Sequence, residues 1–390
     1  MSAAEGVAVD NDHALFLDTV RSVAARAVAP TAASIDAEDR IPDQVLAAAE
    51  EAGLLDLVAT ADAASAELVL LSASSVQRLA QASAAVAVRI AAAHVVGAAA
   101  SRSTDPAAAA TRIATVGGPV AVAVVDGRRA LRVIPSRTGA GLLLDGVIDA
   151  AIGARDAAAL LLFVNAAGEN PQALLVRTDT TGVQIEAGPA RSGLRGAGLA
   201  RVTLSHLPVD QADRIGGAAS VAAAAAHTDL MLGAAAAGIA LGAIDQARQY
   251  MLQRHQFGKK IAEFGALRAM IGAMAADADA GWALVEAAAR QPVPWGGAAP
   301  VLAARAVAVA APTAVRVSID ALQLHGGYGY VTEFPVERQV RDAVSLRARV
   351  AGGVQSRLAR SADAVLGQPA AGTASSTAEQ WQPGPAERSA

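Results

Sequence analysis

Three textures of apolar and polar positions follow one another along the chain. From His13, Leu15, Val20, Val23 and Val28 recur near helical spacing, and Pro30 is expected to end the run. A second helix is expected after Pro42, closing at Gly53, a residue suited to a helix C-terminus. Further Ala-rich helices carry the pattern to about Gly97. At Gly117 the texture changes to short β-rich runs, at 119–125, 130–134, 141–148, 158–164, 173–177 and 199–204. Turn residues such as Asp126-Gly127 and Asp145-Gly146 punctuate them. These runs predict a compact antiparallel sheet domain. After Gly217 helical spacing returns, with helices expected over 228–253, from near Phe264, over 299–323 and over 336–364. A bundle is the simplest packing for four such helices. Residues 368–390, rich in Pro, Ser, Gly and Gln, lack periodicity and are expected to be disordered. The predicted class is mostly α with a central β domain. A helical domain (1–116) precedes the antiparallel β domain (117–217), a C-terminal four-helix bundle (218–367) and the tail.

Composition sharpens this picture mainly by exclusion. Apolar residues make up 53% of the 390 positions and aromatics only 3%, because alanine dominates, which favours helix. The net charge of −4 comes without a basic stripe, which argues against nucleic acid as a partner. There is no cysteine, and the six histidines show no paired-ligand spacing, so no metal site is expected. Apolar stretches such as 221–226 are too short to span a bilayer, and the acidic N-terminus has no apolar signal core. The expectation is a cytoplasmic protein.

Two segments carry candidate chemistry. Tyr250 and Arg254 are four residues apart and share a helix face, with Phe257 one turn on. Gly258 is expected to break the helix, presenting Arg254, Gln256 and Phe257 at its end. An arginine beside an aromatic ring suits a phosphate and a flat ring system, although an arginine at a helix C-terminus is also ordinary electrostatics. In the second segment Gly326, Gly327 and Gly329 permit close backbone approach, and Gln323 offers a hydrogen bond to a ligand heteroatom. A glycine turn between bundle helices reads the same way, and His325 alone means little, since most such histidines are structural.

Together the segments spell Tyr-x-x-x-Arg-x-x-Phe-Gly-x-x-Ile (250–261) and Gln-x-x-Gly-Gly-x-Gly (323–329), followed by Phe334-Pro335-Val336-Glu337-Arg338 and Arg341-Asp342-Ala343. This resembles the acyl-CoA dehydrogenase family, and similarity extends over most of residues 11–367. The resemblance implies FAD as cofactor, an acyl-CoA substrate and an electron-transfer flavoprotein as redox partner. In the family a carboxylate removes the α-proton while FAD accepts the β-hydride. Arg254, Gln256, Phe257, Gln323, Gly326 and Gly327 are the implied cofactor-binding residues, reaching an FAD held mainly by a neighbouring subunit.

The departures from the family are as specific as the matches. Where many members place the base, twenty-seven residues after Gln323, this chain has Val350, and the alternative base position holds Thr228. Asp229 lies one residue along, a rotation of about 100° on a helix, and reads as a solvated or N-terminal-turn acid. No catalytic residue is therefore assigned. The stretches that contact isoalloxazine in the family correspond here to 119–129 and to Ala150-Ala151-Ile152, without the family's Trp and hydroxyl groups. The chain keeps what serves a neighbour and lacks what serves itself. That pattern resembles the degenerate subunit of heteromeric, heterotetrameric family members, several of which act on steroid-derived CoA thioesters. Three other readings remain open: a homo-oligomeric dehydrogenase with an unusual base, a non-enzymatic scaffold, and a flavin monooxygenase-like relative.

Overall fold

Alanine and glycine set how closely the helices of this protein approach one another. The computed structural model describes residues 11–58, 65–124, 131–135, 141–164, 171–188, 190–292, 295–351 and 354–367. The tail expected from 368 and the Asp126-Gly127 turn lie outside the described residues.

The N-terminal region comprises α1 (Asn11–Val23), α2 (Ala32–Glu38), α3 (Asp43–Glu51), α4 (Ala66–Ala82), α5 (Ala84–Ser101) and α6 (Pro106–Ala114). Pro30 does not stop the first run. A π-helical turn (Ala24–Val28) and a 3-10 turn (Ala29–Thr31) carry the chain past it into α2. Pro30 sits at the start of the 3-10 turn, where its missing N–H costs nothing. Gly53 does follow α3 in the left-handed conformation (φ 69°).

Two four-stranded sheets form the middle region, from β1 (Val120–Val124), β2 (Leu131–Pro135), β3 (Leu142–Ala151), β4 (Ala159–Val164), β5 (Gln172–Arg177), β6 (Val183–Ala187), β7 (Ala200–Val209) and β8 (Arg214–Gly216). The orders are β1-β4-β5-β8 and β2-β3-β7-β6. The arrangement is antiparallel except that β1 pairs with β4 in parallel, a departure from the purely antiparallel expectation. β6 and β8 were not among the predicted runs: β6 alternates apolar and polar residues but over only five positions at an exposed sheet edge, and β8 has only three residues. The run in β4 is continuously apolar because both its faces are buried. Leu161 and Phe163 join the helical core, while Leu160, Leu162 and Val164 face the second sheet.

The C-terminal region contains α7 (Ala218–Gln253), a short hairpin of β9 (His255–Gln256) and β10 (Lys259–Lys260), then α8 (Gly265–Ala289), α9 (Ala299–His325), α10 (Val336–Ala351) and α11 (Val354–Leu366). The segment expected as one helix over 336–364 is therefore two helices among the described residues. α7 is the axle of the molecule, packing on α8, α9 and α10 and also on α4 and α5. A Cβ at Gly242 would lie 2.6 Å from the Gln81 carbonyl oxygen, so glycine there allows α7 to approach α4.

By length and composition α5, α7, and α9 with its following turn could each cross a bilayer, which corrects the expectation drawn from short apolar runs. Their most apolar windows are 89%, 78% and 61% buried inside the fold, so the apolar surface is spent on the protein's own core.

Candidate functional site

The first motif does not end where its glycine stands. α7 stops at Gln253, and Arg254 is already extended (φ −76°, ψ 129°), its N–H bonded to the Tyr250 carbonyl at 2.9 Å. The Arg254 carbonyl accepts the Ile261 N–H at 2.9 Å, and Gln256 pairs with Lys259 across the hairpin. Phe257 (φ 51°) and Gly258 (φ 81°) form its two-residue turn, both left-handed as a tight hairpin requires. Gly258 thus serves the hairpin rather than breaking the helix. Phe257 is the costly member, because a bulky side chain disfavours positive φ. It is 91% exposed, with only an edge contact to Phe264 at 6.4 Å.

The second motif caps α9. Gly326 (φ 59°) follows its last residue and donates its N–H to the Gln323 carbonyl. A Cβ at Gly326 or Gly327 would meet nothing within 4 Å, so packing within the chain does not call for either glycine and their backbone stays open. Gly329 differs, since a Cβ there would lie 2.6 Å from the Leu322 carbonyl oxygen. Gln323, Gly326 and Gly327 are exposed.

Aromatic packing joins the two motifs. The Arg254 guanidinium lies 5.3 Å from the Tyr328 ring centre, and Tyr250 stacks on His325 at 4.5 Å. Phe334 packs against both tyrosines. His325 donates Nδ1–H to the Ala321 carbonyl at 2.8 Å, and burial lowers its pKa, consistent with a structural imidazole. Arg254 is thereby brought beside the glycine turn. Among the described residues, no hydrogen bond joins Gln256 or Phe257 to Gln323.

The positions where the family keeps a base are closed. Val350 is buried, and Thr228 donates its hydroxyl to the Ala224 carbonyl at 2.7 Å. Asp229 is neither solvated nor in a first turn, because α7 begins far upstream at Ala218. It is buried at 3% exposure and accepts from Arg357 Nε at 2.7 Å and Arg360 at 2.9 Å. Arg357 also donates to the Val350 carbonyl at 2.7 Å. The adjacent Arg349 donates to the Ala150 carbonyl at 2.5 Å, in the stretch that corresponds to the family's isoalloxazine contact. Burial, with Arg191 and Arg357 nearby, lowers the Arg349 pKa to about 10, leaving it charged at neutral pH. None of these positions offers an unpaired carboxylate to receive a proton. The exposed set around Arg254 and the glycine turn offers donors and an open aromatic ring that fit FAD, whereas the Ala150 carbonyl is already engaged by Arg349.

Sequence reasoning missed this guanidinium cluster. The spacing of Arg357 and Arg360, three residues apart on one helix face, was the available signal. It also missed what Arg341 and Asp342 do. Arg341 pairs with Asp36 and Glu337, each at 2.7 Å, and donates to the Ser192 carbonyl at 2.6 Å. Asp342 accepts the Leu194 N–H at 2.6 Å, and burial raises its pKa to about 6. This part of the motif ties α2, the loop before β7 and α10 together, so it is a structural clamp.

The acyl-CoA dehydrogenase C-terminal domain profile matches residues 216–362, and the N-terminal domain profile of the same family matches residues 10–111, together more than half of the chain. A probable acyl-CoA dehydrogenase of Mycobacterium tuberculosis is 33% identical over 44% of this chain and 45% of its own length. The chain thus aligns with less than half the length of such curated relatives. Butyryl-CoA dehydrogenase from Megasphaera elsdenii is similar in fold, with a TM-score of 0.81 at 20% identity over 94% of this chain and 100% of that one. A glutaryl-CoA dehydrogenase from Mycobacterium smegmatis, solved in complex with FADH2, also has a TM-score of 0.81, at 15% identity over 93% and 96%. Both domain profiles, the order of the three regions and the two bundle motifs agree: this chain belongs to the acyl-CoA dehydrogenase family.

Proposed function

We propose that this chain is the non-catalytic subunit of an FAD-dependent acyl-CoA dehydrogenase, working in a hetero-oligomer, as in a heterotetramer, with a second family member that carries the base. The observation that carries the reading is the fate of Asp229. The acid nearest to a family base position is buried and held by Arg357 and Arg360. When bound in such a complex, FAD accepts the hydride lost from the acyl β-carbon. This chain's part is to bind and orient: Arg254 contacts the cofactor's polar groups, Phe257 covers its ring system, and Gln323 with Gly326 and Gly327 offers open backbone and an amide. The Phe257 conformation supports this role, because strained exposed aromatics persist where a partner uses them. The substrate class to test first is a bulky, steroid-derived CoA thioester, with an electron-transfer flavoprotein as acceptor.

The test is Arg254→Ala in the co-expressed complex, with flavin content measured and assembly checked separately by size. Charge-assisted hydrogen bonds are worth about 1.5–3 kcal/mol each, so FAD affinity should fall roughly ten- to a hundredfold while the complex stays assembled. Full FAD occupancy and activity in an intact Arg254→Ala complex would sink the proposal.

A further inference from the structure

Away from the bundle tip, a cavity of about 510 Å³ lies between the α5–α6 turn, the β7–β8 turn and the start of α7. Small-ligand sites span roughly 300–1,000 Å³. Three arginines line this one, Arg102, Arg112 and Arg214, against one carboxylate, Asp105. Asp105 is already engaged as the N-cap of α6, accepting the Ala108 N–H at 2.9 Å.

The cations are held in place by the fold. Arg112 donates to the Arg214 carbonyl at 2.7 Å and to the Ala212 carbonyl, which fixes its guanidinium on the wall. Arg214 reaches the Gly216 carbonyl at 3.4 Å. Arg102, the C-cap of α5, is exposed, and its guanidinium makes no hydrogen bond or ion pair among the described residues. Three guanidinium groups thus face the cavity against one carboxylate, Asp105, leaving a net positive lining.

One further feature lines that cavity and a second lies directly behind its lining. α7, 36 residues long, starts there at Gly217 with no side-chain cap, so first-turn N–H groups lack an acceptor side chain. Ser220, in the same turn, has a fully buried hydroxyl without a hydrogen-bond partner, packed against Gly216 of the cavity lining. An unmet buried hydroxyl is uncommon in native proteins. Three like charges and an uncapped helix start beside a cavity repel one another until an anion with several acceptor oxygens bridges them.

We propose that this cavity binds the phosphate group of a small molecule. Arg102 and Arg112 supply charge-assisted donors, and the start of α7 supplies backbone N–H groups. The inference does not rest on the subunit's place beside a partner's flavin, so its failure would leave that reading intact.

The test uses the full chain with inorganic phosphate, pyrophosphate and free coenzyme A as separate probes, read by thermal shift and calorimetry against chloride of matched ionic strength. Saturable stabilisation above the chloride control by at least one probe is expected. Tighter binding of coenzyme A than of pyrophosphate assigns the source to a CoA phosphate; equal or weaker binding assigns it to a smaller free phosphate. Arg102→Glu should weaken binding by about ten- to a hundredfold and leave the ligand-free Tm unchanged, since Arg102 holds nothing else. A second variant, Arg214→Gln, should weaken binding in the same direction. No probe exceeding the chloride control, or an unchanged Kd in Arg102→Glu, overturns the proposal.

Discussion

The two places where a dehydrogenase of this family does its work have opposite characters here. At the bundle tip, Phe257, Gln323, Gly326 and Gly327 lie open, and Phe257 holds a backbone conformation that the chain alone does not reward. Beside α10 the polar groups nearest the family's base and flavin positions are engaged among the described residues, Asp229 by two arginines and the Ala150 carbonyl by Arg349. A strained exposed residue costs stability, whereas a buried carboxylate that is fully paired costs stability when its partners are removed. The two motifs and the base positions of one fold thus differ in how far their polar groups are engaged.

If the closed side is stabilising, it should fail first on acidification. A buried chain runs from Trp295 through His227 and Ser72 to His94 and the Leu54 carbonyl. One tautomer assignment satisfies every member. Trp295 donates to His227 Nδ1, His227 Nε2–H faces the Ser72 oxygen, Ser72 donates to His94 Nδ1, and His94 donates Nε2–H to Leu54. Both rings are therefore neutral, and burial lowers their pKa values, to about 4 for His94 and about 3 for His227. A depressed histidine pKa means that the unfolded chain binds the extra proton. Stability is then fully present above pH 6.5 and falls as pH drops toward 4. Each histidine contributes a slope of up to about 1.4 kcal/mol per pH unit, a combined loss on the order of 5 kcal/mol across that window. Asp342, with its raised pKa, opposes this loss over the same window, so urea unfolding of the Asp342→Asn variant between pH 7 and 4 measures it, and a flat profile there contradicts the neutral chain.

Next in size is the ion-pair lock itself. Asp229→Ala leaves Arg357 and Arg360 without their carboxylate and should cost about 3–5 kcal/mol, read as a lowered denaturation midpoint. A change below 1 kcal/mol would mean the lock is dispensable and Asp229 is free for another role. The clamp between regions should weigh less. Arg341→Ala removes exposed-edge ion pairs in a half-buried, partly solvent-screened setting and should cost about 1.5–3 kcal/mol in all. Asp342→Asn should be neutral or stabilising at pH 7, because it keeps an acceptor for the Leu194 N–H without the buried charge. The smallest effect runs the other way. Phe257→Gly relieves a left-handed phenylalanine and should stabilise the lone chain by about 1 kcal/mol, while reducing flavin content of the complex. A loss of stability on that change would show that Phe257 serves the hairpin and not a partner.

Much of this was legible in the sequence for local reasons. Periodicity located α7 through α10, and turn residues bracketed the β-rich region, because both signals depend on neighbours in the chain. The motifs around Arg254 and Gln323 were readable as residue types, but their geometry was not. Nothing in the spacing shows that the helix ends at Gln253 and that Phe257-Gly258 turns a hairpin, since the deciding bond joins Ile261 to Arg254. The missing base could be seen by counting. What replaced it could not, because Asp229 meets its arginines across 128 and 131 residues. The parallel pairing of β1 with β4 was hidden for the same reason: strand sequence records burial more strongly than direction.

The central claim is that this chain lends half of a flavin site and has none of its own. Flavin stoichiometry tests it most directly, measured on the chain purified alone and on the same chain purified with its partner subunit. The account predicts a colourless lone chain with no acyl-CoA-dependent dye reduction, and a complex whose FAD tracks the amount of partner. A lone chain that retains stoichiometric FAD and reduces dye with acyl-CoA would contradict it.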